Sequence, residues 1–375
     1  LKRINSKITV GKNIFAVEMS TQKRIAIVEI GGSHDECILS QLIGLKQAGA
    51  WVALCCDKKM YEKNSAFKNT IDCFHEVSFP HTMLGDFFTM KQLNKWIKEQ
   101  NITTVIANTA QGGHIRNLCL TAPPKIQFFG IIHTIKMLNG SFTQTLISTK
   151  IKTYFVLNDT LKSLVKPQKG RTVHSFYPLS YAHFGKKLEK KTNEIWIGII
   201  GGVESRRKDL TGFLIMAQQA PSNVKFIFLG KSDAKKEEVV AFKQAIEQNN
   251  LTSRVQLFDD FVSEVDFDAY LSHFDGLLPL VHPNTPSAEE YFSRQISGAI
   301  NNAFAYKIPL MIHENYRDWE DFNTGVEFYN LNNFGEQFAN FLQHHSQLKQ
   351  QLNDNPKFSA TAQNQLFAAI VMNGK

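Results

Sequence analysis

The feature that most constrains this chain is an alternation that runs twice. Short apolar or β-branched stretches ("RIAIVEI" at 24–30, "WVALCC" at 51–56, "TTVIAN", "IQFFGIIHT" and "TYFVLN") are separated by longer ones with apolar residues three and four apart, such as "DECILSQLIGLKQAG", "MKQLNKWIKEQ" and "GHIRNLCL". The first kind fits strands and the second amphipathic helices. Strand, helix, strand in that order requires parallel pairing through right-handed crossovers, which predicts a Rossmann-like sheet. After Pro178 the pattern stops in "LSYAHFGKKLEKKTNE", which has no apolar period and a run of lysines. It then resumes with "IWIGII", a helix from near Asp209, "VKFIFLG", "KEEVVAFKQAIEQNN", "RVQLFD", a helix over 265–273, "GLLPL", a helix ending near Tyr306, and "PLMIH". The likeness of the halves is architectural, without a short internal repeat.

These patterns place an N-terminal Rossmann-like domain at 1–180, with 1–22 as an extension, and a linker at 181–193. A second Rossmann-like domain follows at 194–345, then a helical tail at 346–375 that packs back across the first. The fold class is α/β, with two domains facing across a cleft. A chain of 375 residues, 43% of them apolar, suffices for two cores. Forty-two Lys and Arg against 34 Asp and Glu leave a formal charge of +8, which favours nucleic acid, phospholipid or nucleotide phosphate without choosing among them. Basic residues interleaved with acidic ones, rather than gathered with aromatics, argue against nucleic acid. Five cysteines, at 37, 55, 56, 73 and 119, form no CxxC pair and predict reduced thiols in a cytoplasmic setting. No run approaches the roughly 18 apolar residues of a membrane span, and the first residues show no export pattern.

In open parallel sheets, ligands sit beyond the carboxyl ends of the strands, where glycine admits close backbone approach and helix N-termini present N–H groups to anions. In "IGIIGGVESRRKDLTGFL", Gly201 and Gly202 close a strand, and Arg206, Arg207 and Lys208 stand at the start of a helix. Cations there oppose the macrodipole by roughly 0.3–1 kcal/mol each, so a diphosphate would relieve a misfit; the alternative is three cations in water. The spacing is neither GxGxxG nor a Walker loop. In "LPLVHPNTPSAEEYFSRQISGAINNAFAYKIPLMIH", Ser297 and Gly298 open a helix, with Ala299 and Ala303 small enough for close approach. Such a start suits phosphate, or is simply a capped helix. Gly31 to Glu36, Asn108 to His114, His133 with Thr134, and Gly230 to Ser232, Lys231 among them, hold equivalent places after other strands.

Two such halves, with the basic turn "GGVESRRKD" after the first strand of the second and "SGAINNAFAYKIPLMI" near its end, resemble the GT-B glycosyltransferases, above all the large family-4-like retaining group. The resemblance covers most of the chain from about Arg24 and implies a donor nucleotide on the second half. Lys208 stands where the family has a lysine that neutralises the donor diphosphate. The family's preceding arginine falls on Val203, leaving Arg206 or Arg207 to substitute. Gly202, Lys231, Ser297, Gly298, Ala299 and Asn302 complete the implied donor site. The family's glutamate pair is absent: aligning "AFAYKIP" on its "A-x-A-x-G-x-P" element puts Asn302 at the second position and Arg294 at the first, with Glu289 and Glu290 nearby as a solvated helix start. On the first half, "FFGIIHT" resembles the strand that ends in an active-site histidine. This places His133 beside the donor sugar, for hydrogen bonding or proton transfer. "GGSHDE" resembles the glycine loop of the acceptor side, with Gly31, Gly32, His34 and Asp35 as candidates there and Glu36 as a candidate base; Asp35 has the alternative of capping a helix.

The implied reaction moves a sugar from a nucleotide diphosphate, UDP or GDP, to an acceptor hydroxyl in bacterial-type glycan or glycoconjugate synthesis. His133, Lys208 and Glu36 are its catalytic candidates, with retention favoured over inversion. Charge building on the β-phosphate is met by Lys208, an arginine and the Ser297 helix start, so no metal and no cofactor beyond the donor is required. The expected acceptor is a glycan, a lipid-linked molecule or a protein. Surplus positive charge, including "GKKLEKK", predicts peripheral attachment to the inner face of an anionic membrane. Two alternatives stand: a carbohydrate- or phosphate-binding module that has lost transfer, and a sugar-nucleotide epimerase on the same fold.

Overall fold

The computed structural model describes residues 22–374, so nearly all of the expected extension at 1–22 lies outside the described residues. The first sheet holds β1 (Arg24–Val28), β2 (Trp51–Cys56), β3 (Cys73–Glu76), β4 (Thr104–Ala107), β5 (Gln127–Ile132), β6 (Thr153–Val156) and β7 (Thr172–Ser175). Their order is β3-β2-β1-β4-β5-β6-β7, every pairing parallel. The second holds β8 (Ile195–Ile200), β9 (Val224–Lys231), β10 (Val255–Phe258), β11 (Gly276–Leu277), β12 (Leu310–His313) and β13 (Val326–Tyr329). Its order is β10-β9-β8-β11-β12-β13, again parallel throughout. Both orders reverse beside the first strand, between β1 and β4 and between β8 and β11, and a parallel sheet leaves its ligand crevice at such a switch point.

The central strands are buried on both faces, which is why they read as continuous apolar runs. The edge strands β3 ("CFHE"), β7 ("TVHS") and β13 ("VEFY") are mostly half-buried and mix polar with apolar residues, so no such run marks them. β11 is shorter than "GLLPL" suggests. Leu278 still donates to Gly198 at 2.9 Å, but Pro279 has no N–H to continue the ladder.

A single helix runs Phe334–Asp354, straight across position 346. The chain then crosses to the first domain, where the helix Ala360–Asn373 sets Phe367, Ala368 and Val371 into a core with Ile25, Ile27, Leu42 and Phe155. Gly44, on the facing helix Ile38–Gln47, permits that approach, since a Cβ there would stand 2.5 Å from the Asn364 carbonyl oxygen. Asp321, fully buried in the second half, fastens the domains together: it accepts hydrogen bonds from the Tyr177 hydroxyl and, at 3.0 Å, from the Thr160 N–H. Lys357 bridges Asp321 at 3.1 Å and Asp159 at 2.6 Å. No described helix is long and apolar enough to cross a membrane.

Candidate active site between the sheets

The carboxyl end of β8 turns through Gly201, at φ 87°, into a loop pressed against the end of β9. A Cβ on Gly202 would lie 1.8 Å from the Lys231 carbonyl oxygen, so only glycine fits there. Glu204 holds Arg206 and Arg207 at 3.5 and 3.3 Å, and Arg206 also donates to the Ser287 hydroxyl at 3.1 Å, which ties this loop to the one after β11. Lys208 differs from both arginines. Only 7% exposed, it donates to the Gly202 carbonyl at 3.0 Å and has no carboxylate within ion-pair reach among the described residues. Burial pushes its pKa down to about 8. The following helix, Leu210–Gln219, is capped by Asp209, which accepts from the Gly212 N–H at 2.8 Å and pairs with the buried His282 at 2.8 Å. A carboxylate of the chain itself thus answers the macrodipole, and the anion-binding character rests on Lys208 rather than on a row of cations at that terminus.

The facing wall grows from the end of β1. Glu29, 1% exposed, accepts from the Gly31 N–H at 2.7 Å, Asn108 Nδ2 at 2.8 Å and the Thr109 hydroxyl at 2.6 Å. Burial pushes its pKa up despite these donors. It shapes the turn through Gly31 and Gly32 into His34, whose backbone is left-handed at φ 62° and whose carbonyl accepts a second bond from Asn108, at 3.0 Å. The His34 ring stacks on that of His133, centroids 3.6 Å apart and planes within 9°, and its Nδ1 lies 3.2 Å from Glu36. Burial works against a charged His34, but the Glu36 contact outweighs it and raises the pKa. Burial likewise favours a neutral Glu36, and the His34 contact holds it below its ordinary value. His133 sits at the end of β5 with Nε2 2.8 Å from the Asn108 carbonyl, which fixes the proton on Nε2 and leaves a lone pair on a buried, unpartnered Nδ1. Burial, then the charge of His34, pushes its pKa down to about 4, so the ring is neutral.

Candidate metal donors of His34, Glu36 and His133 lie within 4.8 Å of one another. Stacked, nearly parallel imidazoles send their in-plane lone pairs side by side rather than converging on a tetrahedral centre, which suits hydrogen bonding better than ligation. Both walls meet in a cavity of 360 Å³ that Asp35, Glu36 and Tyr181 share with Gly201, Lys231 and Phe261. The domains touch on either side of it: the Ser65 N–H and hydroxyl reach Glu264 at 3.2 Å, and the Ile135 N–H donates to the Arg294 carbonyl at 2.9 Å.

No family model matches the chain, and no curated protein matches it. Among solved structures it is similar to a glycosyltransferase from Rickettsia africae, with a TM-score of 0.65 and 12% identity over 94% of this chain and 99% of that one. It is similar to Anabaena HepE in complex with UDP-glucose at a TM-score of 0.66 and 13% identity, over 93% and 99%. It is also similar to the UDP-GlcNAc 2-epimerase of Neisseria meningitidis bound to UDP-GlcNAc, at 0.59 and 12%, over 93% and 100%. The fold is GT-B.

On this GT-B frame the residues singled out from the sequence distribute unevenly. Gly31, Gly32, His34, Glu36 and His133 gather at the carboxyl end of the first sheet, with Gly201, Gly202 and Lys208 at that of the second; of these only Glu36 and Gly201 line the cavity. Asp35 is bound by Asn64 at 3.0 Å and Lys63 at 3.3 Å and makes no helix cap. Lys231 is exposed at the end of β9. Ser297 caps the helix Gly298–Tyr306 through the Ala299 N–H, with open space around Gly298. Asn302 is buried in that helix with Oδ1 unpartnered. Glu289 pairs with Arg294 at 2.6 Å and is largely exposed. Lys307 takes the left-handed C-cap, φ 57°, at the position of the motif's glycine. Glu29 was not among the sequence candidates. Its only signal was a carboxylate closing the otherwise oily run "RIAIVEI".

Proposed function

We propose that the protein transfers a glycosyl group from a nucleoside diphosphate sugar to an acceptor hydroxyl. The observation that carries this reading is Lys208, a buried ammonium without a carboxylate partner whose Nζ lies directly behind Gly201, which lines the cavity opposite Glu36. A diphosphate supplies the missing counter-charge. As the bond from C1 to the β-phosphate oxygen breaks, the electron pair leaves with the diphosphate, beside Lys208 and Arg206. His34, its Nδ1 engaged by Glu36, keeps Nε2 to take the proton from the acceptor hydroxyl as that oxygen attacks C1. His133, stacked against His34, holds that ring in position. Base-assisted single displacement inverts the anomeric centre, so the His34–Glu36 pair supports inversion over the retention that the resemblance implies. No step in this scheme calls for a metal.

The test is incubation with UDP- and GDP-sugars, with and without candidate acceptors, followed by NMR of the anomeric proton, for wild type and Lys208→Ala. Acceptor-dependent nucleotide release that the substitution abolishes supports transfer, and the product's anomeric coupling reports inversion or retention. A C2-epimerised sugar nucleotide formed without acceptor supports epimerisation, in keeping with the 2-epimerase of like fold. Binding without turnover leaves a binding module.

A further inference from the structure

The helix Met83–Glu99 buries Met90, Leu93 and Ile97, but its first turns carry apolar side chains away from the core. Met83 is 90% exposed, and Leu84, Phe87 and Phe88 are each more than half exposed. Positions 83 and 87, like 84 and 88, are four apart, so the four side chains form one stripe. Phe142, 79% exposed, opens the helix after β5. Helices starting at Met83, Gly112 and Phe142 follow β3, β4 and β5, and every strand of the sheet runs parallel. Their starts therefore share the sheet edge that carries Glu29, His34 and His133, and the stripe stands on the rim of the cleft.

Cations gather beside Phe142, and the carboxylate that lies within the stripe, Asp86, is held by His114 at 3.0 Å. Lys136 and Lys166 line a groove of 530 Å³ with Ser141, the residue before Phe142, and with Arg294, whose charge Glu289 already meets at 2.6 Å. The lysines of "GKKLEKK" contribute less than their number suggests, because Lys186 and Lys190 are paired with Asp266 and Asp275.

We propose that this rim docks on an anionic lipid bilayer. Met83, Leu84, Phe87, Phe88 and Phe142 enter the boundary between headgroups and acyl chains, and the flanking Lys and Arg meet lipid phosphates. Apolar side chains standing clear of the surface beside cations match a bilayer, which offers anionic headgroups over an oily interior; an acidic peptide matches the cations alone. The corollary that the cleft draws its acceptor hydroxyl from a lipid-anchored molecule rests on the transfer reading. The docking itself does not, and it is read without any activity.

Vesicle co-sedimentation tests it, with phosphatidylcholine alone and mixed with phosphatidylglycerol. Wild type should pellet with the mixed vesicles. The double substitutions Phe87→Ser/Phe88→Ser and Lys136→Glu/Lys166→Glu should each weaken that binding on the order of tenfold. Ile215→Ser/Val240→Ser, which alters exposed apolar residues of the second domain, should leave it intact. All these side chains lie on or near the surface, so thermal midpoints should hold and loss of binding will not be confused with unfolding. Absence of wild-type binding to mixed vesicles, or equal binding by the Phe87/Phe88 variant, overturns the proposal.

Discussion

Lys208→Ala removes a buried charge that has no carboxylate within ion-pair reach among the described residues. The variant should bind the cognate nucleotide sugar about ten- to a hundredfold more weakly, the roughly 1.5–3 kcal/mol of a charge-assisted hydrogen bond, as measured by calorimetry. The same residue sets an alkaline limit: as pH passes about 8 the ammonium loses its proton, and kcat/KM should fall. The acidic limit belongs to His34, which must be neutral to accept a proton and whose pKa lies above its ordinary 6.5. In Glu36→Gln the group that raises it is gone, so the acidic limb of the profile should move to lower pH while the alkaline limb stays. A profile whose two limbs ignore both substitutions would remove these residues from the chemistry.

At the scale of elements, the helices Ile38–Gln47 and Ala360–Asn373 touch through Gly44. Alanine is ordinarily the better helix former, by about 1 kcal/mol. Gly44→Ala should nevertheless destabilise the protein by about 1–3 kcal/mol in a denaturant melt, because its Cβ would press on the Asn364 backbone. The same distinction between intrinsic preference and context explains what was legible in the sequence. Central strands such as β1 and β2 announce themselves because both faces are buried, whereas β3, β7 and β13 at the edges carry too few apolar residues in a row. The helix read from Met90 begins at Met83, since the residues of its first turns do not follow the core-facing period. Glycine pairs and the basic turn were readable as loops at strand ends. That Lys208 is buried while Arg206 and Arg207 are half exposed, or that His34 lies on His133, depends on tertiary packing that spacing does not encode.

At the scale of the molecule, the two domains are joined by a buried polar knot. Asp321→Ala would strip the acceptor from Tyr177 and from the Thr160 N–H and leave Lys357 with Asp159 alone, at a cost of roughly 3 kcal/mol. Calorimetry should show a melting transition broader than the wild type's, or split, as the halves come apart. The crossing of the final helix carries a different consequence. The face of the first domain that includes Ile27 and Leu42 is covered by Phe367 and Val371, which leave the ribosome only after the whole second domain has been made. Through most of translation that face is an uncovered oily surface on a nascent chain. The second domain can close as a unit before the first is complete, and the first stays a client for holdase chaperones until its last helix arrives.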